Sequence, residues 1–255
     1  GRESPLMSPL LIISIILITA ATSFVSGILG MAGGLVLMGV LIWLLPVQEA
    51  MALHAIAQMA SNGWRGLLWI GHVRWRAVAS YVGGCLIALL AWSMILYVPS
   101  RAVALLMLGI VPFLVRALPE GLAPDPERPA DGAVYGAACM SLMLMTGVAG
   151  PLLDSYFLGG NLGRREIVAT KAICQIFGHA AKLVYFGALV AGAATIEPWL
   201  AGAVIVASMI GTLAARPVLE RLSEARYRSL AAGVVTAIAC AYLVQGGWLM
   251  AAQAQ

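Results

Sequence analysis

The chain has 255 residues, 62% of them hydrophobic and only 10% charged, with a net charge of +4. Soluble domains carry about 25% charged and 45–50% apolar residues, so a soluble fold is excluded and an integral membrane protein indicated. The alternating pattern of about ten residues that marks a membrane β-barrel is absent, which leaves membrane helices.

Taken in chain order, the apolar runs predict ten helical segments, at 8–29, 33–45, 49–71, 76–97, 100–118, 131–148, 152–160, 165–187, 196–216 and 227–249. The opening Gly-Arg-Glu-Ser-Pro lacks a starting Met and is left out of the fold reading. The run Leu10–Ala21 has the length of a signal-peptide core, but it continues to Val25 and enters a Gly-rich motif, which favours a span. Most segments can cross a bilayer about 30 Å thick at 1.5 Å per residue. The second and seventh are too short to span comfortably. Each follows a Gly-rich break, Gly30-Met-Ala-Gly33-Gly34 and Gly147-Val-Ala-Gly150-Pro151.

The polar stretch Glu120–Asp131 reads as a linker. It divides the chain into a first repeat at 1–119, a linker at 120–130 and a second repeat at 131–255. The expected fold is all-α, with eight full spans and two short helices in two inverted five-segment repeats. If all ten segments cross, Arg74, Arg76, Arg116, Arg128, Arg164, Arg165, Arg216, Arg221, Arg226 and Arg228 fall on one side, with Arg101 and Arg2 on the other. That is a positive-inside pattern with basic loops in the cytoplasm and both termini outside. An odd number of segments per half inverts the second half relative to the first.

The halves also share a polar stripe. His54, Gln58, Asn62 and Arg65 stand at steps of 4, 8 and 11, as do Lys171, Gln175, His179 and Lys182. These steps fall on one face of a helix. Ser26–Gly30 aligns with Thr146–Gly150, and 24–27 residues later Ala55-Ile56-x-Gln58 aligns with Ala172-Ile173-x-Gln175. The Gln match is informative because the chain has only six Gln.

The stripes and breaks point to a buried anion site. Half-helix N-termini near a membrane midplane attract anions, and glycine lets an oxyanion approach the main chain. The candidate binding residues are Gly30, Ala32, Gly33, Gly34, His54, Gln58, Asn62, Arg65, Gly150, Pro151, Lys171, Gln175, His179 and Lys182. Close helix packing is the competing reading of the glycines. Snorkelling to an interface competes for Arg65, Lys171 and Lys182. Gln58 and Gln175 lie near mid-span and supply uncharged amide donors. His54 and His179 bind the anion or titrate. Asp154 pairs with Lys171 or Lys182, carries a coupling proton, or simply faces water at a helix end. Glu49 and Glu197 read as acids favouring helix N-termini.

Other chemistries lack their residues. The glycine spacing is not a dinucleotide fingerprint, no nucleophile constellation appears, and the four cysteines lie far apart without a Cys-x-x-Cys pair. No cofactor, metal site or enzyme activity is expected. The basic loops set topology rather than bind nucleic acid. Trp43, Trp75, Tyr97 and Trp248 suit an interfacial belt.

Three stretches carry a resemblance to a known family. They are Ser26-Gly-Ile-Leu-Gly-Met-Ala-Gly-Gly-Leu35, Thr146-Gly-Val-Ala-Gly-Pro-Leu152 and Asn161-Leu-Gly-Arg-Arg-Glu-Ile-Val-Ala-Thr170. Together with the repeated unit of break, short helix and polar helix, they resemble the sulfite exporter TauE/SafE family, over most of residues 10–250. The resemblance implies a transporter of the cell inner membrane for sulfite, an organosulfonate or a related anion. Its partners would be a small anionic substrate, the lipid bilayer and a coupling proton or sodium. An anion channel is the alternative, followed by an intramembrane enzyme or a retinal photoreceptor with Lys171 or Lys182 as the Schiff base.

Overall fold

The computed structural model describes residues 8–119, 124–158, 161–219, 221 and 224–253. Arg2, the linker stretch 120–123, residues 159–160 of the seventh segment and the side chains of Arg164, Arg226 and Arg228 lie outside that description.

The described residues form α1 (Pro9–Leu29), α2 (Met31–Leu44), α3 (Val47–Leu68), α4 (Trp75–Ile95), α5 (Arg101–Arg116), α6 (Pro129–Thr146), α7 (Gly150–Leu158), α8 (Arg164–Val184), α9 (Pro198–Leu219) and α10 (Glu224–Gln253). Each answers to one expected segment. Where ends differ, local chemistry explains the shift. The end of α3 hands over to a 3-10 turn at Ile70–His72, and α8 runs into a π turn at Tyr185–Leu189. Ser8 and Ser100 cap α1 and α5 by accepting from the Leu11 and Val103 amides.

Five helical stretches are long and apolar enough to cross a membrane, within α1, α4, α8 with its π turn, α9 and α10. The 22-residue α3 is more polar because it carries the stripe, and α5 has only 16 residues. Large apolar side chains face outward on the long helices: Ile13 and Leu17 on α1, Ile87 and Leu90 on α4, Val206 and Ile210 on α9, Val244 on α10. Such surfaces suit lipid rather than water.

The first break is narrower than expected. Only Gly30 leaves the helix, at φ 67° and ψ −117°, a conformation that is essentially glycine's own. Gly33 and Gly34, expected within the break, sit inside α2. The chain reverses at Gly30, and α2 doubles back along α1. Gly33 is pressed so closely on the Thr22 carbonyl oxygen that a Cβ would overlap it. The second break is Gly147 at φ 83°, with Val148 and Ala149 leading into α7. Pro151, also expected in the break, occupies the first turn of α7, where its missing N–H costs nothing.

The main pairings are α1 with α9, α4 with α6, α3 with α8 and α5 with α10. All four join one half of the chain to the other. Exchanging each helix with its counterpart five places along leaves this set unchanged. The short helices lie inside the bundle: Ala32, Leu35, Leu37, Met38, Leu41 and Ile42 of α2 are buried, as are Leu153, Tyr156 and Phe157 of α7. Buried hydroxyls fasten the centre, with Ser208 bridging Ser23 and the Ala57 carbonyl, and Ser61 meeting Thr212.

Candidate functional site

The site is built on α3 and α8, which run antiparallel along each other. His54, early in α3, meets Lys182, late in α8, while Gly66 near the end of α3 meets Ala172 and Ile173 near the start of α8. The two polar stripes therefore face one another head to tail. Hydrogen bonds sort their members into two groups.

The first group lines two adjoining cavities. One, of about 240 Å³, is walled by Gly30, Met31, Pro112, Arg116, Pro151, Asp154 and Lys171. The other, of about 210 Å³, is walled by Ser26, Gly27, Gly30, Asn62, Arg65, Lys171 and Gln175. Gly30 and Lys171 border both. Lys171 donates to the Asp154 carboxylate, each side chain being about a quarter exposed. Asn62 donates to the Gln58 carbonyl at 2.9 Å and accepts from the Arg65 guanidinium at 2.9 Å, which sets the direction of that cation. The two breaks converge here, since Gly150 abuts the Met31 side chain. Cations, amides and a glycine main chain around one small space form an environment suited to a compact oxyanion.

The second group is sealed. Lys182 has no exposed surface and donates to His54 Nδ1 and to the Gly147 carbonyl, both at 2.9 Å. His54 Nε2 lies 3.0 Å from the Gly34 carbonyl. A carbonyl only accepts, so Nε2 bears the proton and Nδ1 is left to accept from Lys182. The His179 ring stands 5.5 Å from that of His54, and its buried Nδ1 has no hydrogen-bond partner among the described residues. Burial of this kind excludes snorkelling for Lys182.

The fourteen expected binding residues thus separate. Gly30, Asn62, Arg65, Pro151, Lys171 and Gln175 reach a cavity. His54, His179 and Lys182 do not, and Gln58 is not in either wall. Its amide packs instead on α2, where the absent side chain of Gly34 makes room: a Cβ there would lie 3.2 Å from Gln58 Nε2. Ala32 is buried in the core, and Gly33 and Gly150 serve close packing. Ser26 and Arg116 were not expected in the site. Arg116 was legible only as a topology-setting cation at the end of α5; its place in the wall of the first cavity follows from the packing of α5 on α10, where it donates to Thr236 Oγ1 at 2.7 Å and to the Ala232 carbonyl at 3.3 Å.

A bundle of membrane helices around small cationic cavities, with broken helices meeting at their wall, defines the class as a multi-pass membrane transport protein. The chain belongs to the sulfite exporter TauE/SafE family, whose model matches residues 15–242. No curated protein and no solved structure matches it. Membership brings, as a general class of activity, membrane export of a small sulfur-containing anion.

Proposed function

We propose that the chain is a secondary transporter that exports sulfite or a small organosulfonate. The carrying observation is Lys171, which borders both cavities and is held by the Asp154 carboxylate. In this reading the anion enters the cavity of Ser26, Asn62, Arg65 and Gln175 and takes the place of Asp154 against Lys171. Arg65 and Lys171 offset its charge, while the Asn62 and Gln175 amides and the main chain at Gly30 hold its oxygens.

Eight helices cross the membrane and α2 and α7 are the short ones, arranged as two inverted repeats at 1–119 and 131–255. The unchanged set of pairings on exchange of the halves supports this, as does the head-to-tail meeting of the stripes. The basic end faces the cytoplasm, so the cavities beside Arg116 and Arg65 receive substrate from inside. Alternating access by rocking of one half against the other is the first expectation, but pairings that all join the two halves favour a smaller movement. The short helices, each hinged on a glycine, are the elements that rearrange. The sealed group at Lys182 favours alternating access over an open anion pore.

Counterflow of labelled sulfite or a labelled sulfonate in proteoliposomes tests the reading. Exchange that saturates and falls sharply in Lys171→Met supports it. Exchange unchanged by Lys171→Met, Arg65→Gln and Gln175→Ala would remove the site assignment. A ligand screen by thermal shift with sulfite, sulfate, thiosulfate and small sulfonates identifies the substrate, because a ligand bound only by the folded state raises its stability.

A further inference from the structure

We infer that the sealed cluster of Lys182, His54 and His179 carries the coupling proton, so that export is driven by a proton gradient and not by sodium. This rests on the transport reading above. Lys182 is fully buried and meets two acceptors, a histidine nitrogen and a main-chain carbonyl, but no carboxylate among the described residues. An ammonium without a counter-charge is expensive inside a membrane and marks function. The ionisable side chains facing it are His54 of α3 and His179 of its own helix. The break against it presents the Gly147 carbonyl, backed by Met38 of α2 and Met51 of α3.

The cluster has the parts a proton carrier needs. With His54 Nε2 bound to the Gly34 carbonyl, the proton shared between Lys182 Nζ and His54 Nδ1 has two nitrogen bases to sit on. The unpartnered Nδ1 of His179 is a third nitrogen one ring away. A sodium ion would need a cage of oxygens and would be repelled by the Lys182 ammonium. Asp154, the acid beside the cavities, is occupied by Lys171.

The same contacts tie the proton to the moving parts. Lys182 holds the carbonyl of Gly147, the hinge of α7, and α7 carries Asp154 to Lys171 at the anion cavity. Anion arrival at Lys171 frees one end of α7; proton transfer at Lys182 frees the other. Binding makes one N–H bond and release breaks it, with nothing oxidised or reduced. The proton comes from water outside and returns to water inside as the anion leaves.

Proteoliposomes of the full chain, clamped at fixed potential, test this with labelled sulfite and with a labelled sulfonate whose own charge is constant across the pH range. A one-unit pH gradient should drive about tenfold accumulation at one proton per anion, while a sodium gradient should drive none. A trapped pH dye then reads protons moved per anion. Lys182→Arg keeps the cation but holds its proton permanently, and proton movement should be lost. Asp154→Asn releases the anion-side latch but leaves Lys182 intact, so protons should still move. Sodium-driven accumulation, no response to the pH gradient, a retained ratio in Lys182→Arg or loss of all proton movement in Asp154→Asn each overturns the inference. If Lys182→Arg does not fold, the wild-type gradients and Asp154→Asn decide. Exchange without pH drive leaves the transport reading standing and sinks only the proton; absence of any exchange sinks both.

Discussion

Lys171 of α8, which borders both cavities, forms an ion pair with Asp154 of α7, which borders one of them. In the proposed reading the carboxylate holds the place of an anionic substrate and acts as a tethered competitor.

Asp154→Asn removes that competitor while keeping the shape of the side chain. The KM for the transported anion should fall several-fold, up to about tenfold, corresponding to about 1.4 kcal/mol. Stability should change by less than about 1 kcal/mol, because the pair is partly exposed. A raised KM would mean that the carboxylate supports binding.

Arg65 is aimed by Asn62, and both border one cavity. Arg65→Gln and Lys171→Met should each raise KM about tenfold, and the double variant should fall short of the product because the two cations face the same anion. Asn62→Ala should reproduce part of the Arg65→Gln effect. A multiplicative double variant in exchange assays would show that the cations act at separate places.

Gly33 is wedged against the Thr22 carbonyl and Ser26, whereas a Cβ at Gly63 of α3 meets nothing within 4 Å. Gly33→Ala should therefore cost about 1–3 kcal/mol through overpacking. Gly63→Ala should be neutral or stabilise by up to about 1 kcal/mol through helix propensity. Thermal melting in detergent separates the two; equal melting temperatures would contradict the doubling back of α2 on α1.

Glu127 and Thr195 are both exposed, and they precede α6 and α9 respectively. In a cysteine-free background, Glu127→Cys should react with an impermeant maleimide from the cytoplasmic face and Thr195→Cys from the opposite face. Labelling of both from one face would reject the alternating path through the membrane.

The class and the helices were legible in the sequence because their causes are local. Hydropathy demands membrane helices, and each of the ten expected segments has its helix. The step of 3.6 residues per turn placed His54 to Arg65 and Lys171 to Lys182 on single faces. Family membership followed from short glycine-centred motifs that a linear reading can see. The positions of the two breaks were also readable, but not their width: Gly33 looked like part of a break and is instead a contact point, a role defined by Thr22 on the neighbouring helix.

The tertiary structure decided which polar residues share a space. Nothing between residues 54 and 182 announces that His54 and Lys182 will meet at 2.9 Å; that follows from α3 and α8 packing head to tail. The same packing turned Gln58 onto α2 and left Gln175 in the cavity, although the sequence treats them as equals. The packing of α5 on α10 likewise put Arg116, a topology signal on its own, in the wall of the cavity that Lys171 lines. A stripe records which face of a helix is polar, whereas a site depends on what the opposite face belongs to. Here the opposing faces sort one repeated stripe into the lining of a cationic cavity and a sealed basic cluster.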